Sequence, residues 1–114
     1  MRKQNILIIF LLLLSPLCFG QTQQEMNNQA FIEYQKSDNE MTKLYKTVMN
    51  RLDTRKEKDM LLNAQRAWIK YKETHCTALA NQYEGGSMMP LIYYGCLGQL
   101  SDERKAQLKE YMPN

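Results

Sequence analysis

The sequence predicts an all-α fold: a small helical bundle with two long antiparallel helices, two shorter C-terminal helices and one disulfide. Three observations predict it. Apolar residues recur at helical steps of three, four and seven through most of the chain. Two capping boxes, Thr22 to Glu25 and Thr54 to Glu57, stand ahead of those runs. No stretch of useful length alternates apolar and polar residues as a half-buried strand would.

The start of the chain is read apart from the fold. Arg2 and Lys3 form a basic region, Ile6 to Leu14 are nine unbroken apolar residues, and Cys18 and Gly20 put small residues at −3 and −1 of a cut before Gln21. Residues 1–20 are expected to be a cleavable signal peptide. Residues 21–114 are then a single domain, periplasmic or secreted. Nine apolar residues fall short of the ~20 that span a bilayer core, so no stable membrane anchor is expected after cleavage. An uncleaved anchor is the alternative. Lipidation of Cys18 is disfavoured, because Ser15-Pro16-Leu17 is a poor lipobox.

The first helix is expected to start at Thr22 and to bury Ala30, Tyr34, Met41, Leu44, Tyr45, Val48 and Leu52. Ser37-Asp38-Asn39-Glu40 carries its own capping pattern and marks a place to kink or restart. The short turn at Leu52-Asp53-Thr54 favours an antiparallel hairpin. The second helix is expected from about Arg55 to Glu84, stopped by Gly85-Gly86. Its apolar side chains cover an arc of about 200°, against about 100° for an ordinary surface helix, which reads as a central helix. Gln65 and Lys72 fall inside that arc. A buried lysine is costly unless paired, so Lys72 either finds partners in the bundle or reaches solvent along its stem. Ser87 is a suitable N-cap for a third helix, with Pro90 in its first turn. Gly98 is expected to end it, and Ser101-Asp102-Glu103 to open a fourth.

Cys76 and Cys96 remain after the leader, and a cysteine pair in a small exported domain is most simply one disulfide. Both lie ten residues from Gly86, so a reversal there brings them to similar heights on antiparallel helices. A metal site using His75 beside Cys76 is the alternative. Adjacent helical residues diverge by about 100°, and the expected mature chain has no further His or Cys.

Charge and motifs exclude several functions. Removing Arg2 and Lys3 takes fifteen basic residues to thirteen against twelve acidic, a net charge of +1. The basic pI thus belongs largely to the precursor, and Glu57 and Asp59 interleave with Arg55, Lys56 and Lys58, so no nucleic-acid partner is expected. There is no G-x-S-x-G, H-E-x-x-H or phosphate-cradling glycine loop, and His75 is the lone histidine. The chain is read as a non-enzyme with no catalytic, cofactor or metal residues. The candidate protein-binding surface is the turn region, where Tyr83, Met88, Met89, Tyr93 and Tyr94 flank Gly85, Gly86 and Ser87.

Several runs resemble a known family. Ala64-Gln-Arg-Ala-Trp-Ile-Lys-Tyr-Lys-Glu-Thr-His-Cys76, Gly85-Gly-Ser-Met-Met-Pro90, Cys96 and Leu100-Ser-Asp-Glu-Arg104 are similar to the LprI-type lysozyme inhibitors, and Glu25-Met-Asn27, Tyr34, Asp38 and Tyr45 also fit. The resemblance covers nearly all of residues 21–114. It implies a small exported helical domain with a disulfide core that inhibits lysozyme, a protein partner. Relatives often carry a second cysteine pair near the start of the first helix. One of those cysteines would match Gln29, and this chain lacks both. Lysozymes hold two carboxylates in a cleft, and an inhibitor that sets a cation or hydroxyl between them would plug it. Arg66, Lys72 and Ser87 are residues of that type. A charge of +1 offers no long-range steering toward a basic enzyme, so binding rests on short-range fit. A non-inhibitory, envelope-associated structural domain is the rival reading.

Overall fold

The computed structural model describes the backbone of residues 2–112 and the side chains of residues 22–112. The side chains of the expected leader, Cys18 among them, lie outside the described residues. Three helices make up the fold: α1 (Arg2–Arg51), α2 (Arg55–Asn81) and α3 (Met89–Lys109). The chain is all-α, with a Cys76–Cys96 disulfide. Among the described residues, no helix is long and apolar enough to cross a membrane.

The α1–α2 turn follows the local code. Thr54 is the N-cap of α2: its Oγ1 accepts from the Glu57 N–H at 3.1 Å, and Glu57 Oε2 accepts from the Thr54 N–H at 3.2 Å. The Thr22 capping box starts nothing, because the backbone ahead of it is already helical. Nor does α1 restart at Ser37 to Glu40. Those polar residues serve tertiary contacts instead. Asp38 faces Lys72 of α2, and Glu40 accepts from Lys105 of α3 at 2.6 Å.

The two expected C-terminal helices are one. Helix α3 runs unbroken through Gly98 and Ser101. Gly98 is a crossing point rather than a stop: a Cβ built there would lie 3.5 Å from the Tyr34 Cα. Ser101 is buried, and its hydroxyl donates to the Leu97 carbonyl at 2.9 Å instead of capping a new helix. At 3.5 Å the added methyl makes an ordinary contact, so Gly98→Ala keeps the fold. Relief of the glycine penalty inside a helix should stabilise the protein by about 0.5–1 kcal/mol, read from its urea midpoint. A loss above that size would mean that α1 and α3 tolerate no methyl between them.

Helix α2 is not central. Its buried residues Leu61, Gln65, Lys72, Cys76 and Ala80 form one stripe, while Met60, Ile69 and Tyr71 are exposed. Helix α3 takes the middle place, packing closely on both partners and closest to α1. The chain order makes α1 and α3 parallel: Asn27 meets Ser87, Tyr34 meets Gly98, Glu40 meets Lys105, and Arg51 meets Met112. Lys105 ties Glu40 to Asp102, at 2.6 and 2.9 Å. Hydrogen bonds from Lys105 hold both carboxyls below their ordinary range, and those same bonds raise the lysine.

Candidate functional site

Two apolar clusters sit at opposite ends of the bundle. Met41, Val48, Leu61 and Leu108 fill the end nearer the α1–α2 turn. Cys76, Cys96 and Leu97, with Tyr34, Tyr93, Tyr94 and Leu100 against them, fill the other. Between them runs a polar belt. Arg104 Nε donates to Gln65 Oε1 at 2.9 Å, its Nη1 donates to Gln107 Oε1 at 3.0 Å, and Gln65 Nε2 donates to the Met41 sulfur at 3.1 Å. Lys72 Nζ lies 3.6 Å from Asp38 and over the rings of Tyr34 and Trp68, at 5.4 and 5.0 Å. Burial, then the Asp38 charge, push the Tyr34 hydroxyl above the ordinary tyrosine range.

This belt decides the place of Lys72. Only 4% of it is exposed, and its charge is matched within the bundle by Asp38 and two ring faces. It holds helices together and presents no cation to a partner. Arg66 is exposed, but it lies fifteen residues before the end of α2 at Asn81, about 22 Å at 1.5 Å per residue. It is no neighbour of the turn.

The other candidate residues do come together. Past Asn81 the chain tightens: Tyr83 donates to Ala80 and Glu84 to Asn81, then Gly86 donates to Tyr83. Gly85 takes φ +80°, a left-handed conformation that glycine adopts freely and other residues adopt at a cost of about 1–2 kcal/mol. Residues 81–88 are all exposed, giving a tip of eight residues with Tyr83 and Met88 on it. The expected N-cap role of Ser87 is not realised. Met88 is the N-cap position of α3, with no side-chain cap, and Pro90 sits in the first turn as expected.

The tip is held on two sides. Below it, the Cys76–Cys96 bond joins α2 to α3 with Cα atoms 5.6 Å apart. Cys76 is therefore not available to share a metal with His75, whose ring stacks on Tyr71 at 5.4 Å. Beside it, Asn27 Nδ2 of α1 donates to the Ser87 carbonyl at 2.9 Å. Tyr94 stands behind the tip in a ring cluster, 4.9 Å from Phe31, 5.3 Å from Tyr93 and 6.2 Å from Tyr34. Asn27 belongs to the Glu25-Met-Asn27 run that fits the family resemblance, but nothing in that run gives its role beside the tip, and no motif marks Phe31.

A profile of the family described as "Lysozyme inhibitor LprI" matches residues 19–108, most of the chain. The chain belongs to that family. The LprI match spans both the belt and the tip. An uncharacterized protein of Rhizobium meliloti (strain 1021) is 35% identical over 103 residues, covering 80% of this chain and 74% of that protein. No solved structure is a significant match.

Proposed function

We propose that this LprI-family chain is an exported inhibitor that blocks lysozyme by seating its α2–α3 tip in the active cleft. The observation that carries the reading is the fixed tip. An exposed turn anchored by a disulfide and by Asn27 loses little conformational freedom on binding. Ser87 supplies the hydroxyl for the cleft carboxylates, and Tyr83 and Met88 supply apolar contact area. Lys72 takes no part, since it is buried, and Arg66 lies outside the contact. The export step rests on the apolar start of the chain, with residues 1–20 removed as a signal peptide.

The test follows the turbidity of a cell-wall suspension as lysozyme clears it. The exported protein should slow clearing. Met88→Asp should weaken inhibition at least about tenfold, on the order of 1.4 kcal/mol, by placing a desolvated charge in the contact. Arg66→Ala should leave inhibition within about twofold of the parent. Unchanged lysis at large molar excess, across several lysozyme types, would sink the proposal.

A further inference from the structure

We infer that the groove between residues 23–31 of α1 and the tip is a binding site for a neutral oligosaccharide rich in hydroxyl and acetamido groups. It encloses about 740 Å³, inside the roughly 300–1,000 Å³ of small-molecule sites. Helix α1 lines one side with Gln23, Gln24, Asn27 and Asn28, which fall on one face at i, i+1, i+4 and i+5. Phe31 continues that face one turn on. Ser87, Pro90 and Tyr94 line the other side.

Three features select the ligand. First, none of the described residues lining the groove has a charged side chain, although 24% of the chain is charged. An ionic ligand would find no side-chain counter-charge among them. Second, each side-chain amide offers a carbonyl acceptor and two N–H donors, the functions that vicinal hydroxyls and an acetamido group satisfy together. Asn27 is fixed in place, accepting from Gln23 Nε2 at 2.9 Å while it donates to the Ser87 carbonyl at 2.9 Å. Gln24 and Asn28 have no hydrogen-bond partner among the described residues, so their amides are open to a ligand. Third, Phe31 is 39% exposed, and an edge-on contact with Tyr94 fixes its ring. An exposed ring held this way suits the C–H face of a sugar.

This inference goes beyond the inhibitory reading, because it requires no enzyme. The exported full-length domain, isotope-labelled, is titrated with N-acetylglucosamine tetramer, with cellotetraose, and with an anionic uronic-acid tetramer. The side-chain amide signals of Gln24 and Asn28 should shift with the neutral chains, more with the acetamido-bearing one, and not with the anionic one. Asn28→Ala, a surface change that spares the fold, should weaken binding at least about fivefold, and Phe31→Ala about tenfold, within the range of single hydrogen-bond and aromatic contacts. No shift with either neutral tetramer at about 10 mM, a limit near 3 kcal/mol of binding, overturns the proposal. So do equal binding by Asn28→Ala and Phe31→Ala, or preference for the anionic chain. No lysozyme is present in the titration, so its failure leaves the inhibitory reading standing, and failed inhibition leaves this one standing.

Discussion

Cys96→Ser in the exported, oxidised protein should lower its thermal midpoint by roughly 12–24 °C. The bond joins residues separated by 20 positions, and closing a loop of that size is worth about 3 kcal/mol. The domain is small enough that 1 kcal/mol moves the midpoint by about 4–8 °C. Cys76 is fully buried in the apolar cluster beneath the tip, so the variant also leaves an unbonded thiol in that cluster. Reductant should produce the same shift in the parent and none in the variant. Two accessible thiols in the exported parent, found by titration, would refute the bond itself.

Gln65→Leu should be equally damaging, although it replaces a buried polar residue with an apolar one of similar size. Arg104 is 6% exposed, and its Nη2 already lacks a partner among the described residues. Leucine would remove the acceptor of its Nε as well. A buried guanidinium that loses a partner costs about 3 kcal/mol or more, again roughly 12–24 °C in a domain this size. The double variant Gln65→Leu with Arg104→Met should recover at least half of that loss, because it removes the stranded charge with its acceptor. A single variant within 1 kcal/mol of the parent, measured by urea unfolding, would show that Arg104 relaxes to solvent and that the belt is not tight.

The elements most legible in the sequence were those specified within a few residues. The Thr54–Glu57 capping box, the chain reversal at Gly85-Gly86 and the cysteine spacing each rest on local geometry, and each holds, although α2 ends at Asn81 with Gln82 as its C-cap rather than running on to Glu84 and a glycine cap. Gly98 and Ser101 misled for a physical reason. A glycine that ends a helix and a glycine that lets another helix approach look identical in one dimension. Only the Tyr34 backbone, 64 positions away in sequence, distinguishes them. Gln65 and Lys72 stood out as polar residues in an apolar arc, but their partners Arg104 and Asp38 lie on other helices. Of the candidate surface, Tyr83, Gly85, Gly86, Ser87 and Met88 meet at one tip, with Tyr94 behind it. The amide face of α1 stayed hidden, because nothing in its sequence announces that α1 ends up beside the tip.

The parallel pairing of α1 with α3 also bears on the order of assembly. Asn27 and Ser87 are 60 residues apart and Lys105 and Glu40 are 65 apart, whereas the cysteines are 20 apart. Closing the longer loop costs about 1 kcal/mol more chain entropy. The α2–α3 hairpin is therefore the cheaper closure, and it is the one that the disulfide locks. The shape of the tip rests on local contacts of low entropic cost. The groove beside it exists only while the costlier, long-range packing of α1 holds.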